Sequence, residues 1–112
     1  MQNVPMKTAM PWGQWWQEDE EVYLELNIPR NTKHDEVQIH LSETLPTLIE
    51  IVVKNNIIFS DQLLKPVVSD ETTWNIRRTS GTLNVMLLKL NYVEGEEPWN
   101  TLFNPFPIKN GE

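Results

Sequence analysis

Hydrophobic and polar residues alternate with a period of two along much of this chain, the pattern of half-buried β-strands. In Glu21-Val22-Tyr23-Leu24-Glu25-Leu26-Asn27-Ile28 the even positions are apolar, and Pro29 ends the run. Glu36-Val37-Gln38-Ile39-His40-Leu41 alternates again. Thr47 to Val53 is a fuller apolar run, suited to an interior strand. Asparagine tolerates positive φ, so Asn55-Asn56 predicts a tight hairpin turn into Ile57-Ile58-Phe59. Pro66 lacks the ladder N–H and makes Leu63 to Val68 an edge or a connection. Thr73 to Arg77 is a short strand, Thr79-Ser80-Gly81 a turn, and Thr82 to Tyr92 a long strand. No amphipathic helix of useful length is present, and the prolines of Asn104-Pro105-Phe106-Pro107 argue against one near the end. The pattern predicts an all-β fold, a compact antiparallel β-sandwich of about seven strands.

Composition narrows the function classes. At 112 residues the natural reading is one domain with a modest core. No long apolar run spans a membrane, and the first ten residues do not read as a secretory signal. There is no cysteine, so disulfides and thiolate chemistry are excluded. No Asn-x-Ser/Thr acceptor occurs either, which agrees with the cytoplasmic location expected. The net charge of −7, with Glu18-Asp19-Glu20-Glu21 as its densest cluster, repels phosphate backbones and argues against nucleic acid.

Candidate chemistry is sparse. His34 and His40 lack the spacing of a metal pair and read as surface residues. No serine sits in a nucleophile elbow, and no glycine-rich phosphate loop exists. Adjacent carboxylates such as Glu20-Glu21 point to opposite faces of a strand, which is poor geometry for shared acid–base work. The expectation is no catalytic residue, no metal, no cofactor, and a function in binding.

Five tryptophans stand out in so short a chain: Trp12, Trp15, Trp16, Trp74 and Trp99. As a strand, Trp12-Gly13-Gln14-Trp15-Trp16-Gln17 puts Trp12, Gln14 and Trp16 on one face and Trp15 on the other. One of Trp15 and Trp16 is expected to plug the sandwich, and Trp74 to pack in the core. Trp99 either folds back over the sheet or helps form an exposed apolar patch. Lys89 lies on the phase opposite Leu88 and Leu90 and reads as solvated.

Pro11-Trp12-Gly13-Gln14-Trp15-Trp16-Gln17, then Glu20-Glu21-Val22 and Pro29, resembles the opening of a CS domain of the NudC (nuclear movement protein) family. Asp70-Glu71-Thr72-Thr73-Trp74-Asn75-Ile76, Leu87-Leu88-Lys89 and Trp99-Asn100-Thr101-Leu102-Phe103 resemble that family's later motifs in the same order. One departure is Asp61 in Ser60-Asp61-Gln62, where the family often has glycine at a turn. The resemblance implies a flexible segment over residues 1–10, a CS domain over 11–103 and a tail over 104–112. It implies a chaperone or co-chaperone module that stabilises client proteins. The partners it suggests are clients, heat-shock protein 90 or dynein-complex components. An adaptor in a dynein-linked nuclear migration complex, without general chaperone activity, is the alternative. A sugar-binding sandwich with stacked tryptophans is a third class. A related co-chaperone binds heat-shock protein 90 through one sheet face and the segment after the last strand, so the protein-binding candidates are Trp12, Trp16, Lys89, Trp99, Leu102 and Phe103.

Overall fold

The computed structural model describes residues 6–45 and 47–106. Its antiparallel strands form two sheets. The five-stranded sheet holds, in spatial order, β1 (Thr8–Met10), β2 (Gly13–Glu18), β3 (Glu21–Asn27), β8 (Thr82–Leu88) and β7 (Thr73–Arg77). The three-stranded sheet holds β4 (Val37–Leu41), β5 (Leu48–Val53) and β6 (Asn56–Gln62). Single 3-10 turns at His34–Glu36 and Ser69–Glu71 lead into β4 and β7. The predicted antiparallel sandwich is the observed fold.

Pairing explains which residues make the core, because residues opposite one another across strands share a face. One row of the large sheet reads Trp15–Leu24–Val85–Trp74, and the next Gly13–Leu26–Leu83–Ile76. Both point inward, toward Val37, Ile49, Ile51 and Val53 of the small sheet. Each such aliphatic side chain contributes about 1.5–3 kcal/mol by leaving water. Trp15 is the plug, at 5 % exposure, whereas Trp16 is half-buried on the outer face.

Several local expectations are corrected. The β5–β6 turn is centred one residue early, on Lys54 and Asn55, whose φ values of 51° and 66° suit a two-residue hairpin of the kind that follows the strand twist. The last strand stops at Leu88 rather than Tyr92. The chain then turns at Asn91, which has a φ of 56°. Asp61 lies within β6 opposite Ile49, so no turn occurs there. Thr8–Met10, inside the segment read as flexible, pairs with β2. Residues 1–5 of that segment and 107–112 of the expected tail lie outside the described residues.

Candidate functional site

The outer face of the large sheet follows from the opposite phase of the same strands. Trp16 pairs with Tyr23, Tyr23 with Met86, and Met86 with Thr73, so one row across four strands is aromatic and thioether for most of its length. Trp16 and Tyr23 stack with centroids 5.5 Å apart and planes 14° apart. With Asn84 and Arg77 these side chains line a shallow depression of about 290 Å³. Charge rings the row. The Lys7 ammonium lies 4.5 Å from the Trp16 ring centre. The Tyr23 hydroxyl donates to Glu21 at 2.9 Å and approaches Glu18 at 3.3 Å. Gln14 donates to Glu25 at 2.7 Å in the neighbouring row.

Burial of the phenol raises the Tyr23 pKa above its ordinary 10.0, and the Glu21 and Glu18 carboxylates raise it further. In the unfolded chain a tyrosine loses its proton near pH 10. The folded phenol keeps its proton there, so the native state binds more protons and stability falls as pH rises beyond 10. Tyr23→Phe is expected to flatten that alkaline loss of stability, measured as denaturation midpoints between about pH 8 and 11. An unchanged alkaline slope in the variant would remove Tyr23 as its source.

The six residues singled out from the sequence do not form one surface. Trp16 alone belongs to the outer row. Trp12 precedes β2 instead of sharing the Trp16 face. Gly13, with a φ of 153°, breaks the alternation and lets the indole pack on the core edge, 5.0 Å from the Phe59 ring. Phe103 meets the other side of this cluster, edge-on to Phe59 at 5.2 Å. Leu102 is in the core at 2 % exposure, and Trp99 folds back to 4 % exposure.

Lys89 is not solvated. The inward phase of β8 is Leu83, Val85 and Leu87, and Lys89 continues it beyond the strand end, reaching 6 % exposure. Leu90, on the other phase, is 42 % exposed. The Lys89 Nζ donates to Gln17 Oε1 at 2.9 Å and to the Asp19 carbonyl at 2.8 Å. The Tyr92 ring centre lies at 5.5 Å and that of Trp99 at 6.0 Å. Burial holds the amine below its ordinary pKa, against the opposing pull of Glu96 and Asp19. Gln17 is the residue that sequence reasoning missed here. It also accepts from the Trp99 N–H at 2.8 Å and donates to the Trp99 carbonyl at 2.7 Å. Lys89, Trp99 and Leu102 therefore support the sandwich from inside. Tyr23 and Met86 were missed as well, although each is a large apolar side chain on the solvent phase of its strand.

A model of the CS domain family matches residues 11–89. The NudC domain-containing protein 2 of Rattus norvegicus is 32 % identical over 68 residues, which are 61 % of this chain and 41 % of that protein. The matched region thus spans about two fifths of the relative's own length. The crystal structure of NudC domain-containing protein 2 from Mus musculus superposes with a TM-score of 0.59 at 29 % identity, over 65 % of this chain and 53 % of that one. The solution structure of the CS domain of human KIAA1068 protein reaches a TM-score of 0.64 at 18 % identity, over 95 % of this chain and 86 % of the other, and shows the shared fold.

Proposed function

The chain belongs to the CS-domain family, a protein-interaction fold, and from that premise we propose that it is a co-chaperone module that holds client proteins against the outer face of its large sheet. The observation that carries this reading is the Trp16–Tyr23–Met86 row in its shallow depression. Aromatic rings give a large contact area at low entropic cost, and the thioether adapts its shape to different partners. The row lies on paired strands, so it is held rigid before a client arrives. The flanking Lys7, Glu18, Glu21 and Glu25 discourage self-association while leaving the apolar strip open. The clients that fit are proteins offering an apolar segment, including folded partners such as heat-shock protein 90 or components of the dynein complex.

The test is suppression of thermal aggregation of a model substrate. A several-fold excess of the domain is expected to suppress light scattering. Trp16→Ala combined with Met86→Ala is expected to weaken suppression about tenfold, as loss of an interface hot spot does. Far-UV and near-UV spectra would check that the variant keeps its fold. Full activity in a folded double variant would show that clients do not use this face, and no suppression by the parent domain would sink the chaperone reading.

A further inference from the structure

The two lateral sides of the sandwich are built differently. One is sealed by Trp12, Phe59 and Phe103, with Leu63 bridged to Phe103. The other lies between β4 and β7, each the last strand of its sheet, so each has an edge with no strand partner among the described residues. Between these edges runs a cleft of about 280 Å³ lined by Ile39, Leu41, Glu43, Asp70, Thr72 and Trp74. Ile39, Leu41 and Trp74 pack on the core yet stay only half-buried. His34 stacks on the same indole at 4.2 Å. The Thr72 hydroxyl at the cleft is buried without a hydrogen-bond partner, an arrangement that native proteins seldom leave uncompensated.

We infer that this cleft receives an extended segment of another protein that adds as a strand to the free edge of β7. Such an edge offers a row of backbone donors and acceptors, and alternate side chains of the added strand point to one face. The segment therefore carries apolar residues at every second position, which fill the space over Ile39, Leu41 and Trp74. Its flanks are lysine or arginine. Glu43 and Asp70 stand on the cleft and no lysine or arginine among the described residues lines it, in a chain of net charge −7. A basic segment meets complementary charge there, and an acidic one meets repulsion. Trp74 borders both this cleft and the outer-face depression, but strand addition at the β7 edge does not rest on the client-holding role of the Trp16–Tyr23–Met86 row and stands or falls without it.

The probe is a synthetic peptide of about twelve residues, with a central Val-Thr-Ile-Thr-Val run and lysines at both ends, read by fluorescence anisotropy at low salt and by amide shifts. Saturable binding is expected, with shifts centred on Thr73–Arg77, Ile39 and Leu41. Reversing two exposed charges, Glu43→Lys with Asp70→Lys, is expected to weaken binding at least about tenfold and to favour the same core flanked by glutamates. Methylating alternate backbone nitrogens of the peptide is expected to abolish binding. Trp16→Ala with Met86→Ala is expected to leave it unchanged. The inference is overturned by any of three results: no saturable binding, equal binding of the glutamate-flanked peptide to the parent domain, or shifts confined to Trp16, Tyr23 and Met86.

Discussion

Gly13→Ala is expected to destabilise the domain by about 3–5 kcal/mol, a large fraction of the stability of a small sandwich. Two independent causes act at this residue. Its φ of 153° is one that a side chain rarely adopts. A Cβ added there would lie 2.0 Å from the Glu25 carbonyl oxygen, 3.0 Å from its carbon and 3.1 Å from the Leu26 Cα. All three atoms are backbone of β3, so relief requires moving the strand at the centre of the Leu26–Leu83 row. Gly95→Ala is the control. Gly95 has a φ of 88° and nothing within 4 Å of the new Cβ, so only the backbone penalty of about 1–2 kcal/mol remains. Denaturant titration of both variants checks the ranking. Equal losses would show that β3 can yield around Gly13, and the close approach would then carry no energetic weight.

The same position marks how far the amino-acid pattern alone can be read. Alternation over Glu21–Asn27 identifies β3, because a strand with one wet face must repeat every second residue, and Val22, Leu24 and Leu26 are indeed buried. Trp12 defeats the same rule. A glycine in an unusual conformation resets the phase, and period counting cannot see a dihedral angle. The choice between Trp15 and Trp16 as plug depends on which side the second sheet packs, a contact made by β4 and β5, far along the chain. Lys89 shows a different limit. Its strand offers two apolar phases, Leu83–Val85–Leu87 and Leu88–Leu90, and only the register with β3 decides between them. Trp99 folds back because Gln17, 82 residues away in sequence, holds both of its backbone groups. The outer row was readable in principle. Tyr23 and Met86 are large apolar residues on a wet phase, a pattern that marks an interaction surface more often than chance. Tryptophan is a poorer guide to that surface, because most of the tryptophans of this chain serve the core.

Gln17→Ala should remove the link between three parts of the domain, at a cost of about 3–5 kcal/mol. The carboxamide sits at the end of the inward Gln17–Val22–Leu87 row. Its oxygen takes hydrogen bonds from Lys89 and from Trp99, and its nitrogen gives one to Trp99. Truncation leaves the Trp99 N–H and carbonyl without this partner and the ammonium with the Asp19 carbonyl as its remaining hydrogen-bond acceptor. No carboxylate oxygen stands within 4.0 Å of that ammonium among the described residues to take over. Lys89→Met tests the charge separately. It removes the desolvated cation, fills similar volume and keeps the Gln17–Trp99 clamp, so it is expected to fall within about 1 kcal/mol of the parent domain. The amine is held below its ordinary 10.5, so the native state carries fewer protons than the unfolded chain just below that pH. Stability due to Lys89 therefore rises with pH across that window, opposite to the effect of Tyr23, and Lys89→Met should abolish the rise. Combining the two substitutions gives the decisive number. With no ammonium left to orphan, Gln17→Ala should cost about 1–2 kcal/mol less in the Lys89→Met background than in the parent. Equal costs in both backgrounds would mean that Gln17 acts on Trp99 alone and that the buried lysine is held by the Asp19 carbonyl.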